Sequence, residues 1–421
     1  MRTPDRSIAG AWRWGVTALV CVAMAISYLD RQTLPWAIGA IQADIPFGNQ
    51  VKAVLDSAFL VTYGLMYVGA GMLLDRMGTR RGFIAIMAFW SLACASHGLA
   101  GGLVALAASR LLLGAGEGGG FPAATRVVTE WFAPRDRATA MGFINGGTAI
   151  GAVAAPPLIA LMLTHADWSG LAPWRWMFFL TGALGLLWVG TWAAFYRVPS
   201  HADGMAADAG RPIGLGELLA HREVKAVVFA KFLSDGAWYF YLFWLPKYLF
   251  DAFQLDIRTA GSIGWIPYAA SGVGALLGGA LSSALLRRGA TLNLARKLAL
   301  GVSAALMPWV ILAPHVASLG VVIFLFSLAF FGQQSWSTLV MVLPTDLIPR
   351  RAVATLAGLV GFGGAMGGVC LGQVVGWMRD HGYSYAPALL LTGSMHIAAF
   401  IVICIAIPTI QPLSFNTGKS L

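Results

Sequence analysis

Four charged residues stand inside stretches otherwise built of apolar side chains: Asp30 and Arg31 within 14–36, and Arg110 and Glu117 within 103–125. A charge at the centre of a membrane-crossing helix costs about 2.5–3.5 kcal/mol on insertion scales. Such residues normally face a bundle interior and mark a pathway for protons, ions or charged cargo. The chemistry open to them is proton exchange at the carboxyl groups and anion recognition by the guanidinium groups, whose planar fork matches a carboxylate with two parallel hydrogen bonds. Adjacent helical residues point about 100° apart, so Asp30 and Arg31 serve different neighbours. Either they turn into the bundle or they sit near the outer interface and snorkel. Arg110 and Glu117 are almost two turns apart and share one face, about 10 Å apart along the axis.

Further along, Lys231 and Asp235 have the spacing of a helical ion pair and either satisfy each other or contribute to binding. Gln333, Gln334, Trp336, Ser337 and Thr338 form a polar cluster in an apolar run. Such a cluster needs partners, which a hydroxyl-rich ligand supplies. Trp238, Tyr239 and Tyr241 either stack on a ring or pack. His97 and His396 are read as packing residues. Gly114, Gly116 and Gly119 spell G-x-G-x-x-G, but that fingerprint binds dinucleotides only between a strand and a helix, and here it lies in an apolar span. No H-E-x-x-H, G-x-S-x-G or paired metal-ligand motif occurs in the spans, and Cys21, Cys94, Cys370 and Cys404 lie in apolar runs without ligand spacing. The expectation is a chain that is not an enzyme, with no metal and no cofactor.

The elements that position these residues follow from composition. Of 421 residues, 58% are hydrophobic and 11% charged, with mean hydropathy +0.73. A soluble domain carries about 25% charged residues, so soluble enzymes, disordered chains and small disulfide scaffolds are excluded. A spanning helix needs about 20 mostly apolar residues. Twelve stretches qualify, near 14–36, 53–74, 82–100, 103–125, 138–163, 174–196, 224–250, 259–286, 292–313, 318–342, 352–377 and 385–408. No period-two pattern recurs, which argues against a β-barrel. The formal net charge is +10, and most of the 28 Lys and Arg residues fall in the tails and in alternate connections. That distribution points to a plasma-membrane protein with both termini cytoplasmic, and not to nucleic-acid binding. The basic N-terminus followed by a long apolar run reads as an uncleaved first span.

The polar stretch 200–222 divides the chain into six-span halves, 1–199 and 223–421. Pro134-Arg135-Asp136-Arg137 and Pro349-Arg350-Arg351 recur before the fifth and eleventh spans, as do Arg80-Arg81 and Arg287-Arg288 in corresponding turns. Glycines four apart, Gly142 with Gly146, Gly147 with Gly151, and the series Gly364, Gly368, Gly372, Gly376, allow close helix approach. Two similar halves are an architecture of secondary transporters.

Gly71, Asp75, Arg76, Gly78, Arg80 and Arg81 fill every fixed position of G-x-x-x-D-R-x-G-x-R-R between the second and third spans. This resembles the cytoplasmic signature of the major facilitator superfamily. Its counterpart in the second half is degraded, with Ser283 where an acid is expected. The Asp30-Arg31 pair, the Arg110 to Glu117 spacing and the run Gly142 to Gly151 followed by Pro156-Pro157 resemble the anion:cation symporter family within it. Lys231 to Asp235, Phe243 to Leu249 and Gly358 to Gly368 are most similar to bacterial hexuronate transporters. The resemblance implies a twelve-helix major facilitator fold and a bacterial inner-membrane symporter, monomeric, importing a small organic anion such as a sugar acid together with protons. It implies that Asp30 and Glu117 carry the protons, that Arg31 binds the substrate carboxylate, and that Arg110 holds Glu117 or shapes the cavity. Tyr28, Tyr63, Asn145 and Thr148 would line the site, with Gln333, Trp336 and Ser337 from the tenth span. Asp75, Arg76, Gly78 and Arg80 would form the gating turn, with Lys231 and Asp235 structural. Competing readings are a drug exporter, disfavoured because Ala155-Pro156-Pro157-Leu158 replaces the G-P-x-x-G-G-like element of that branch, and a non-transporting nutrient receptor, disfavoured by the short tails.

Overall fold

The computed structural model describes residues 6–132, 137–165, 170–197 and 213–415. The side chains of Asp75, Arg350 and Arg351, the stretch 133–136 and most of the 200–222 connection lie outside the described residues. Among those described there is no strand. With no water in a hydrocarbon layer to satisfy backbone groups, apolar stretches of this length close their hydrogen bonds internally as helices.

The α-helices are α1 (Arg6–Asp44), α2 (Asn49–Gly98), α3 (Leu103–Glu117), α4 (Gly120–Trp131), α5 (Arg137–His165), α6 (Pro173–Phe195), α7 (Leu215–Ala220), α8 (Arg222–Phe253), α9 (Ile257–Arg287), α10 (Leu292–Ala305), α11 (Leu319–Leu347), α12 (Arg350–Asp380) and α13 (Ala386–Ala406). They make twelve spans. Among the described residues eight are long and apolar enough to cross a membrane on composition alone. The remaining four are the two arms of α2, the α3–α4 pair and α8, which carry buried Lys52, Asp56, Arg110, Glu117, Lys231 and Asp235.

Local chemistry sets the breaks. The arms of α2 meet at Gly78, whose φ of 72° and ψ of 163° are non-helical; a left-handed φ is open to glycine and strained for other residues. The fourth span is interrupted directly after Glu117, where residues 118–119 form a turn. The ninth span finishes as a 3-10 segment, Pro308–His315, because Pro308 and Pro314 cannot donate backbone hydrogen bonds. Thr291 caps α10 by accepting from Leu294 N at 3.3 Å. Asp256, exposed before α9, accepts from Thr259 N at 2.6 Å, and this bond holds its carboxyl below the ordinary range.

The chain gathers into two compact units, one comprising Met1–Met205 with Leu242–Trp265, the other Ala206–Tyr241 with Ile266–Leu421. In the first, α1 lies along α5 and α6, while α2 packs on α3 and α6. A Cβ at Gly147 or Gly151 would collide with the α1 carbonyls of Cys21 and Ala25, whereas Gly142 and Gly146 have open space. Only one of the two glycine pairs in α5 therefore serves close approach. Within the same unit Trp36 meets Phe250 edge-on at 6.3 Å. The second unit is centred on an apolar cluster that includes Leu300, Trp336, Leu339, Leu343, Leu356 and Ile403.

Gly147→Val should therefore lower the thermal unfolding midpoint of detergent-purified protein, with overpacking costing about 1–3 kcal/mol. Gly146→Val should leave the midpoint near wild type. Equal effects would show that α1 and α5 are not held this closely.

Candidate functional site

In the first unit the charges converge where α1, α2 and α3 meet. Ser27 and Arg31 sit one turn apart on α1 and reach the same carboxylate oxygen. Ser27 Oγ donates to Glu117 Oε2 at 2.8 Å, and Arg31 donates to it through Nη2 at 2.8 Å and Nε at 3.3 Å. Arg31 and Glu117 are both 2% exposed. Three rings surround the Arg31 guanidinium: Tyr28 at 4.8 Å, Phe59 at 5.2 Å and Tyr63 at 4.7 Å to centroid. Aromatic faces attract a cation without neutralising it.

Asp30 is turned by the helical step to a different neighbour. Its Oδ2 accepts from Trp90 Nε1 on α2 at 2.7 Å, and the residue is fully buried. The snorkelling alternative is thus excluded for both Asp30 and Arg31. Trp90 can lie against α3 because position 116 is glycine; a Cβ there would stand 2.6 Å from Trp90 Cβ.

The expected partnership of Arg110 with Glu117 is not formed. Arg110 Nη2 instead contacts Asp56 Oδ1 at 3.4 Å, and Lys52 Nζ holds the other oxygen of Asp56 at 2.7 Å. The shared helical face puts Arg110 and Glu117 on one side of α3, but the carboxylate that engages Arg110 comes from α2. Arg110 also lies 4.9 Å from the Phe59 ring centroid, and Lys52 4.2 Å from that of Trp244. Lys52, Asp56, Ser27 and Trp90 were missed by sequence reasoning. Lys52 and Asp56 carried a signal, a helical pair at the edge of an apolar run; the two neutral residues carried none.

Asn145 is exposed on α5, and Thr148 Oγ1 returns to the Asn145 carbonyl at 2.7 Å. Neither is hydrogen-bonded to the Arg31 cluster.

In the second unit Lys231 Nζ bridges Asp235 Oδ1 at 3.0 Å and Ser337 Oγ at 2.8 Å, and Gln333 Nε2 approaches Asp235 Oδ1 at 3.4 Å. His396 Nε2 bonds Gln333 Oε1. His396 therefore belongs to a polar chain across α8, α11 and α13 and is more than a packing residue. Trp336, expected beside a ligand, is instead wholly buried in the apolar core, edge-on to His396 at 5.6 Å. His97 stacks on Phe178 at 4.6 Å.

At the signature turn, Arg80 Nη2 donates to Ala193 O at 2.5 Å and Thr79 Oγ1 bonds Glu130. Glu130 also accepts from Tyr196 Oη at 2.7 Å and pairs with Arg126 at 3.2 Å. Arg76 is exposed. In the second unit Arg296 pairs with Asp346 at 2.9 Å and donates to Ser282 Oγ at 2.8 Å; Ser282, the neighbour of Ser283, is the buried polar contact there.

The family model of the Major Facilitator Superfamily matches residues 20–372. The chain is 28% identical over 397 residues to the hexuronate transporter of Escherichia coli K12, covering 89% of each chain. It is 28% identical over 404 residues to the D-galactonate transporter of Escherichia coli O6:H1, covering 90% of this chain and 92% of that one. It is 26% identical over 420 residues to a probable galactarate/D-glucarate transporter of Escherichia coli K12, covering 92% and 93%. In fold it is similar to a solved bacterial homologue of the human lysosomal transporter Spinster, with TM-score 0.71 and 19% identity over 94% of this chain and 96% of that one.

Replacing Trp90 with Phe removes the donor to Asp30 and shortens a fully buried ring. An unsatisfied buried acceptor costs about 1–3 kcal/mol. The purified variant should unfold at a lower temperature than wild type, and an unchanged midpoint would show that the indole N–H is not what holds Asp30.

Proposed function

This chain belongs to the major facilitator superfamily, and we propose that it is a proton-coupled symporter importing an organic anion, a sugar acid such as a hexuronate, by alternating access. The observation that carries the reading is the Arg31–Glu117 pair, buried at 2.8 Å within a ring of aromatic side chains. Ionised Glu117 occupies the guanidinium. A proton on Glu117 cancels the attraction and frees Arg31 to take the carboxylate of the cargo through its bidentate fork. Deprotonation recaptures Arg31 and expels the anion. Tyr28 and Tyr63 hold the guanidinium in place through both steps, and Ser27 supports Glu117. Asp30, bonded to the neutral Trp90 donor and, among the described residues, to no cation, is the second proton-exchanging group. Asn145 and Thr148 offer polar groups on α5. Gln333 and Ser337 are engaged by Asp235 and Lys231, so they receive cargo hydroxyls only by exchanging partners.

The similarity to transporters of hexuronate, galactonate and galactarate supports a sugar acid as cargo. The distribution of Lys and Arg supports an inner-membrane placement with both termini cytoplasmic. The partners of this reading are the cargo anion, protons and the lipid bilayer, with the transporter acting as a monomer.

Two outcomes are expected in proteoliposomes loaded with labelled glucuronate, galacturonate, galactonate or glucarate under an imposed pH gradient. Wild type should accumulate at least one of them and lose accumulation, but not exchange, on adding an uncoupler. Glu117→Gln should retain exchange and binding but fail to concentrate the anion, because the amide mimics the protonated acid and cannot release a proton; a variant that still concentrates it removes Glu117 from proton transfer. Separately, Arg31→Lys and Arg31→Ala, each normalised to folded protein, should both lose binding, since Lys keeps the charge without the fork. Near-normal binding by the Lys variant would reduce Arg31 to a point charge.

A further inference from the structure

Arg110 is fully buried, yet among the described residues its only polar contact is the 3.4 Å approach to Asp56. Its Nε and Nη1 donors have no hydrogen-bond partner among the described residues. Glu117 Oε1, on the same face of α3, is likewise without a partner. A buried donor and a buried acceptor are thus both left open within one helix, and unmade bonds of this kind are costly. Asp56 meanwhile is shared by two cations, with Lys52 holding it more closely at 2.7 Å. Arg110 is therefore weakly held where it is.

We propose that Asp56 is a positioning residue whose carboxylate, shared with Lys52, parks Arg110 away from Glu117, so that Glu117 exchanges its proton under the control of Arg31 alone. This rests on the reading of Glu117 as the proton carrier. The titratable groups of the region allow the division. Arg31 and Asp30 of α1, Arg110 of α3 and Cys94 from the second arm of α2 act on or are acted on by Glu117. Lys52 and Asp56 from the first arm of α2 and His97 from the second face Arg110, with Lys247 of α8 acting on Lys52. The buried cations Arg31, Lys52 and Arg110 match the buried carboxylates Asp30, Asp56 and Glu117 in number. A cation that loses its carboxylate is therefore free to turn to Glu117. With Asp56 removed, Arg110 turns its open donors to Glu117 and keeps it ionised beside a released Arg31. Cargo then binds, but the proton step fails.

The test is Lys52→Gln combined with Asp56→Asn, which removes one buried charge of each sign and leaves the net buried charge unaltered, protecting folding better than the loss of either alone. Asp56→Asn alone is measured beside it, normalised to folded protein. The probe is labelled glucuronate, or whichever anion of the panel wild type accumulates. Both variants should bind it within about threefold of wild type, under 1 kcal/mol, yet fail to concentrate it under a pH gradient. Adding Arg110→Gln to Asp56→Asn should restore accumulation. A purely structural Asp56 would instead leave both binding and accumulation at the wild-type level once normalised to folded protein, and this overturns the proposal. Full accumulation by the charge-balanced variant overturns the proposal. If wild type itself shows no proton-driven uptake, or Glu117→Gln concentrates the probe, the underlying function fails instead, and the two failures are told apart.

Discussion

Arg31 and Glu117 meet 2.8 Å apart with almost no access to solvent. Taking either charge out of water alone is costly, and losing one partner of such a pair typically destabilises by about 3–5 kcal/mol. The pair is therefore viable only while α1 and α3 hold their relative position, and much of the first unit serves that requirement. Gly147 and Gly151 let α5 bear directly on the α1 backbone. The α3 helix stops at Glu117 itself, leaving the acid at a helix end in a glycine-rich turn. The aromatic ring of Tyr28, Phe59 and Tyr63 stabilises the guanidinium without offering a competing anion, so Glu117 is the carboxylate that engages Arg31.

The two acids on which proton exchange is proposed to depend are joined through packing. Asp30 hangs from Trp90, Trp90 lies on Gly116, and Gly116 precedes Glu117. A displacement of α3 against α2 thus reaches both carboxylates. The second unit is organised differently. Its buried charges among the described residues, Lys231 and Asp235, pair within one helix turn and continue through Ser337, Gln333 and His396, a chain in which each member bonds a neighbour.

The spans were legible because composition and length decide them: a bilayer core admits about 20 apolar residues per helix. The breaks were less so. Gly78 announces its turn, but the arrest of α3 after Glu117 and the 3-10 ending at Pro308–His315 depend on packing and on prolines inside a run that remains apolar. In the site, the type and face of Asp30, Arg31, Arg110 and Glu117 could be read from the sequence, and their pairing could not. Helical spacing shows which residues share a face; it does not show what the next helix presents to them. Arg110 illustrates this, since Asp56 lies on another helix. Lys52 escaped notice because it falls just before an apolar run counted from residue 53, although the helix begins at Asn49. Ser27 and Trp90 are neutral and ordinary in an apolar stretch, and only their contacts make them functional candidates.

The central claim is that the cargo anion and Glu117 compete for Arg31, which requires a proton to enter as the anion binds. Calorimetric titration of the purified protein with the transported sugar acid, repeated in buffers of different ionisation enthalpy, measures this directly. The account predicts an apparent binding enthalpy that varies linearly with buffer ionisation enthalpy, with the sign of net proton uptake, and a smaller slope in Glu117→Gln, where Asp30 alone is left to take up a proton. Binding with the same enthalpy in every buffer by the wild-type protein would contradict it.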